Sequence, residues 1–304
     1  MIMKPRCESL ELRILRYLNA RIDLPAKDKN HYANLKKGYE GEQKFDEWMK
    51  EFAGEGLILN DLLFETNHSL FQIDSLYVSS NIIYLFEVKN YEGDFFIEED
   101  KWYSSSKLEI KNPMHQLKRN ESLLRRLLQE LKFTFQVEAY LIFINPEFQL
   151  YQTPLNLPII LPAQLNRFSE KIKITSNKLK GVHTALGQKL LSLHLTESPY
   201  SRLPNYCYDQ LEKGILCPVC YTFYRSLNKM ALICDRCKGI ERHQSAVLRS
   251  EEEFRMLFPK CKITTNQIHD WCSIIKNKKF IWKILSKNFK KEGHGKSANY
   301  IDIL

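Results

Sequence analysis

No apolar run in this sequence approaches the roughly 20 residues that a membrane-spanning helix needs. The longest, residues 139–144 and 157–161, are six and five residues, and no membrane partner is expected. The stretch from Met1 to Arg6 leads into a charged segment and not into the apolar core of a signal peptide. Glycine and proline are sparse, 11 of each in 304 residues, with no fixed-period repeat and no low-complexity segment. That excludes a fibrous repeat, and a hydrophobic share of 44% with 12% aromatics excludes disorder. A cytoplasmic protein is the expectation. There the eight cysteines would act as metal ligands or buried thiols, not as disulfides. The length suggests two domains with room for a small third module.

Charge is distributed unevenly. From Cys217 onward there are 17 Lys and Arg against 8 Asp and Glu. The totals are 45 and 36, so the first 216 residues hold 28 of each sign and are neutral. The whole net charge of +9 therefore sits in the last 88 residues. That asymmetry points to an acidic partner, with nucleic acid the leading candidate; on charge alone a lysine-rich solvated surface is an equal alternative.

Periodicity predicts an amphipathic helix over 9–22 and a second over about 30–52, with Phe45, Trp48, Met49 and Phe52 on one stripe. Extended runs follow at 57–65, 70–78, 82–89 and 94–98, separated by Asn, Ser and Gly. Asn112 and Pro113 open a long helix with Met114, Leu117, Leu124, Leu127, Leu128 and Leu131 on one side. Residues 137–144 read as a buried strand. This order describes an α/β domain. Residues 151–206 are less legible, with a helical pattern at 179–195.

Asp74 lies on one extended run, and Glu87 and Lys89 on the next. Alternation puts Glu87 and Lys89 on one face, with Phe86 and Val88 on the other. If the two runs pair as a hairpin, Asp74 approaches Glu87. Two adjacent carboxylates repel, and a divalent cation relieves that repulsion. On spacing alone the pattern is better read as a surface hairpin with an i, i+2 salt bridge, worth about 0–1 kcal/mol.

The surrounding motifs add specificity. Gly38, Tyr39, Glu40, Gly41 and Glu42, then Phe45 and Trp48, then Gln72-Ile73-Asp74, Glu87-Val88-Lys89-Asn90, Gly93, Trp102 and Asn112-Pro113 with Gln116 occur in order over about 80 residues. From about Lys37 to Asn145 the chain resembles the nuclease-related domain (NERD) family, grouped with the PD-(D/E)xK nucleases. The resemblance implies a mixed central sheet with flanking helices, the restriction-endonuclease-like α/β fold. It implies Asp74 and Glu87 as ligands of Mg or Mn, Lys89 as the catalytic lysine, and Gln116 as a helical residue facing the centre. Glu42 is read either as an added carboxylate or as a first-turn helix residue at the dipole's positive end. Trp102 is expected in the core, and His115 as a polar residue.

A second constellation stands on spacing alone. Cys217 and Cys220, then thirteen residues, then Cys234 and Cys237 are two C-x-x-C knuckles at zinc-ribbon distance. Four thiolates satisfy tetrahedral zinc with no open position, which makes the site structural. Cys7, Cys207, Cys261 and Cys272 lack paired spacing. His243 would compete as a ligand only if a cysteine does not bind.

Beyond the knuckles, a helix is expected over 251–258. A second, capped at Thr264 to Asn266, would run through Trp271, and a third would follow the Asn277 turn to about Lys291. Gly293 to Lys296 and Tyr300 to Ile303 would then form a turn and a short strand. Helix, turn, helix, wing is the order of winged-helix DNA-binding modules. Lys279, Lys283, Lys287, Lys290 and Lys291 would neutralise phosphates; a plain helical hairpin with a basic face is the alternative. The expected organisation is an N-terminal helical segment (1–30), the nuclease-like domain (31–150), a connector or extension (151–213), a zinc ribbon (214–245) and a basic helical module (246–304). The function expected is metal-dependent hydrolysis of DNA, with a basic C-terminal DNA-binding region. A non-catalytic DNA-binding or regulatory protein, or a zinc-ribbon protein-interaction module, are the alternatives.

Overall fold

The computed structural model describes residues 1–51, 54, 56–66, 69–174, 178–197, 199–228, 231–293 and 298–302. The chain forms two units. Unit 1 takes Met1–Ser9 and Ala33–Ser201, and unit 2 takes Leu10–Tyr32 and Arg202–Leu304. The first nine residues and the segment 151–201 therefore pack with the α/β unit. Strand β1 (Ile2–Lys4), helix α1 (Leu10–Arg21) and helix α2 (Ala26–Lys50) open the chain.

Unit 1 continues with β2 (Leu57–Thr66), β3 (Ser69–Val78), β4 (Ile82–Lys89), β5 (Gly93–Glu98), β6 (Lys101–Ser104), β7 (Glu109–Ile110) and helix α3 (Pro113–Glu130). Strands β8 (Gln136–Phe143), β9 (Phe148–Tyr151) and β10 (Ile159–Ile160) follow, then helices α4 (Leu165–Ile174) and α5 (Gly181–Leu193). The main sheet has the order β1-β2-β3-β4-β8-β10. β3 is antiparallel to β2 and β4, while β1 with β2, β4 with β8, and β8 with β10 run parallel. This is the mixed central sheet expected from the sequence.

Both faces of that sheet are covered, and its central strands are accordingly buried over most of their length. Leu57, Leu59, Leu76 and Leu85 share one core with Met114, Leu117, Leu124 and Leu128 of α3 and Leu186 and Leu190 of α5. The alternate residues Ile58, Tyr77, Phe86 and Val88 share another with Phe45 and Met49 of α2 and Phe168 and Ile172 of α4. Each such side chain contributes about 1.5–3 kcal/mol by leaving water. Helix α3 starts where it does because the Asn112 side chain accepts the Met114 N–H at 2.9 Å and Pro113 needs no partner for a missing N–H. A smaller sheet, β7-β6-β5-β9, carries Trp102, which is buried against the Phe143 ring as a core residue. Phe52, placed by periodicity on the α2 stripe, lies outside the described residues.

Unit 2 holds β11 (Ser226–Leu227), β12 (Ala231–Ile233) and β13 (Ile240–Arg242) in one antiparallel sheet. Helices α6 (His243–Leu257), α7 (Thr265–Cys272) and α8 (Lys278–Asn288) follow, then a hairpin of β14 (Lys290–Glu292) and β15 (Asn299–Ile301). Thr264 caps α7 by accepting the Gln267 N–H at 3.2 Å, and Asn277 caps α8 through Phe280 N–H at 3.3 Å. One correction concerns the basic residues. Phe289 is extended (φ −132°, ψ 152°), so α8 ends at Asn288 and Lys290 and Lys291 lie on β14, not on the helix. His294 to Lys296, expected in the turn, and Ile303 lie outside the described residues. The core gathers Ile14 and Leu18 of α1 with Phe254, Leu257, Trp271, Ile281 and Leu285. Within it, Arg21 and Glu253 form a fully buried pair at 2.6 Å, and Arg21 lies 3.9 Å from the Trp271 ring centre.

Candidate functional site

The hairpin of β3 and β4 pairs Ser75 with Phe86. Asp74 and Glu87 lie one residue further along. There the Asp74 side chain takes over the pairing role, its Oδ2 accepting the Val88 N–H at 2.8 Å. Lys89 donates from Nζ to Glu87 Oε1 at 2.7 Å and to Gln116 Oε1 at 3.1 Å. The i, i+2 ion pair is present, but not on a surface: Glu87 is 1% and Asp74 7% exposed. Asp74, Glu87, Lys89 and Gln116 are thus brought together by one hairpin and one helix.

Glu42 reaches the same region from α2. A Cβ on Gly41 would lie 2.4 Å from Asn90 Cβ, so only glycine lets the helix pass the end of β4 this closely. Glu42 stands 16 residues into α2, which rules out the first-turn reading. Its Oε2 accepts from Arg6 Nη1 at 2.6 Å. Arg6 also grips Asp46 at 2.9 and 3.0 Å and donates to the Asp74 carbonyl at 2.8 Å. Asn120, one turn after Gln116 on α3, donates to Glu87 Oε2 at 3.3 Å and to the Gln72 carbonyl at 2.8 Å. Arg6, Asp46 and Asn120 escaped the sequence reading. Only Asn120 carried a signal, its i, i+4 spacing from Gln116.

Burial dominates the electrostatics. Desolvation, then the Asp74 charge, pushes the Glu42 carboxyl up to about 8 even with Arg6 beside it. Glu87 is pushed up to about 8 by the same two causes, and burial also raises Asp74. Desolvation would lower Lys89, but Glu87 and Asp74 outweigh it and hold its ammonium above the ordinary value. Hard carboxylate oxygens whose ionisation is opposed by burial and by one another fit a magnesium or manganese ion, which would relieve both. In the metal-free protein, Arg6 and Lys89 supply the positive charge.

A pH dependence follows. Glu42 and Glu87 hold their protons better folded than unfolded, where they ionise near 4.5. The stability they contribute is complete below about 4.5 and is lost as pH rises through about 8. The melting temperature of the metal-free protein should fall by several degrees between about pH 6 and 9. Glu87→Gln should flatten that fall, as read by melting curves across pH. An equal fall in the variant would remove Glu87 as its cause.

In unit 2, Cys217, Cys220, Cys234 and Cys237 place their sulfurs within 4.8 Å of one another. Among the described residues they are the one group of three or more metal-ligating side chains gathered so tightly. The two knuckles are built alike. Tyr221 and Lys238, each following the second cysteine, take left-handed φ of 55° and 62° and donate N–H to the carbonyls of Cys217 and Cys234. Burial opposes ionisation of Cys234, but the Cys237 and Arg236 N–H groups and Thr222 hold its thiol down at about 6. Four convergent sulfurs with such donors fit one tetrahedral zinc. Lys279, Lys283 and Lys287 are exposed on α8, and Lys290 and Lys291 on β14.

Unit 1 is thus a mixed α/β fold with flanking helices, and two carboxylates and a lysine meet at the end of its β3–β4 hairpin. Residues 37–144, about a third of the chain, match the model of the nuclease-related domain family. Among solved structures, the chain is similar to protein VC1899 from Vibrio cholerae, at 13% identity over 54% of this chain and half of that one, with a TM-score of 0.28. No curated protein matches the chain. No helix among the described residues is long and apolar enough to cross a membrane.

Proposed function

We propose that unit 1 hydrolyses phosphodiester bonds in DNA with magnesium or manganese, and that unit 2 holds the DNA through a zinc-stabilised basic surface. The setting is the cytoplasm, where the cysteines stay reduced. The meeting of the buried Asp74 and Glu87 with the partly buried Lys89 carries this reading, since an ion-pair hairpin with no task would stay in water. Asp74 and Glu87 would hold the cation, which when bound supplies Lewis acidity toward a phosphate oxygen. Lys89, kept protonated, offers its Nζ hydrogens to the charge that develops on the phosphoryl oxygens. Gln116 accepts one of those hydrogens and fixes the direction of the others. Glu42, steadied by Arg6, can keep a proton on its carboxyl at neutral pH.

Circular and linear plasmid DNA test this reading. The wild type should cut with magnesium or manganese and not in EDTA. Asp74→Ala should lose cleavage yet retain DNA in a salt-sensitive manner. Retention without cutting under either metal would overturn the hydrolytic reading.

A further inference from the structure

Helix α8 turns Ile281, Ile284 and Leu285 into the core of unit 2. Its opposite side presents Lys278, Lys279, Trp282, Lys283, Ser286 and Lys287 to solvent. These positions recur at i, i+1, i+4, i+5, i+8 and i+9, one continuous stripe on a helix of 3.6 residues per turn. No acidic side chain interrupts it, and its four lysines form no ion pair among the described residues. Trp282 stands at its middle and is 47% exposed, whereas Trp102 and Trp271 are buried at 1% and 0%. No ring or cation covers its indole among the described residues.

An indole ringed by ammonium groups is complementary to a partner with both flat apolar faces and regularly spaced negative charge. Nucleic acid has both. We propose that Trp282 stacks on an unpaired base while Lys278, Lys279, Lys283 and Lys287 take the flanking phosphates. In a duplex each base has its faces covered by its neighbours and shows only its edges in the groove. An unpaired base gives the indole its whole face, and such stacking tolerates any sequence. Single-stranded, gapped or frayed DNA is therefore the form that unit 2 selects. This rests on the reading of unit 2 as DNA-binding, which the lysines carry by charge alone; Trp282 adds the contact to the base.

The full-length protein should be titrated with a labelled single-stranded oligonucleotide and with a blunt duplex of the same sequence. Anisotropy of the label reads binding, and tryptophan emission reads stacking. The single strand should quench emission well beyond the duplex. In Trp282→Ala the quenching should vanish and single-strand affinity fall about tenfold, with duplex affinity unchanged. Trp282→Phe should recover part of that affinity. The side chain is on the surface, and a melting curve confirms that the variants fold. Binding of the single strand without quenching, or equal losses on both oligonucleotides, would overturn the inference alone. Failure of both oligonucleotides to bind at low salt would overturn the DNA reading of unit 2 together with it.

Discussion

Lys89→Ala is expected to reduce plasmid cleavage by about 10²–10³-fold, the usual cost of deleting one donor aimed at developing charge. The loss should come without loss of fold or of metal. Removing one member of a buried ion pair ordinarily destabilises by about 3–5 kcal/mol, because the partner is left charged. Here Glu87 is already pushed up to about 8, so at neutral pH it can take a proton instead and the penalty is smaller. With the ammonium gone from its position 2.7 Å from Glu87 Oε1, that carboxylate is freer to meet a cation. Manganese affinity measured by calorimetry should therefore be kept or improved in Lys89→Ala, and lost in Glu87→Gln. The two variants separate the roles: one retains metal without cutting, the other retains neither. Wild-type cleavage by Lys89→Ala would remove the lysine from the chemistry.

Loss of zinc should have a still larger effect on structure. Full-length protein should carry one zinc per chain, and a chelator or Cys217→Ser should melt much of unit 2. Cys217 and Cys234 are members of the same apolar core as Ile215, Tyr224, Leu232, Val247 and Phe254, so the metal site and the helical core are one cooperative body. Structural zinc contributes about 10–16 kcal/mol in isolated finger peptides. That is comparable to the whole stability of a domain, about 5–15 kcal/mol. Circular dichroism should show lost helix, and DNA retention should fall with it. An unchanged spectrum after complete zinc removal, verified by metal analysis, would show that the quartet is not what holds unit 2 together.

Both constellations were legible because their determinants are local. Two C-x-x-C turns declare themselves in four residues each, and Glu87-x-Lys89 shares a strand face by alternation. Strands β2 to β5 and helix α3 were readable for the same reason, each long enough to express its own period. The short strands β6, β7, β9 and β10 have two to four residues and exist only through pairing partners elsewhere in the chain. Arg6 was illegible on similar grounds. Its partners Glu42, Asp46 and Asp74 lie 36, 40 and 68 residues away, and no spacing rule spans that gap. Lys290 and Lys291 misled because they continue the lysine pattern of α8, and neither glycine nor proline marks its end.

The two units are interleaved along the chain. Residues 10–32 belong with residues 202–304, while the first nine belong with 33–201. A ribosome therefore releases α1 long before the core that receives Ile14, Leu18 and Leu24 exists. The partner of Arg21, Glu253, is 232 residues downstream. Until then α1 must keep an apolar face in water, a state that chaperones recognise and that favours aggregation. The same interleaving means that no single proteolytic cut releases either unit whole. Severing the chain after Ser201 leaves the first fragment holding a helix whose core has gone with the second.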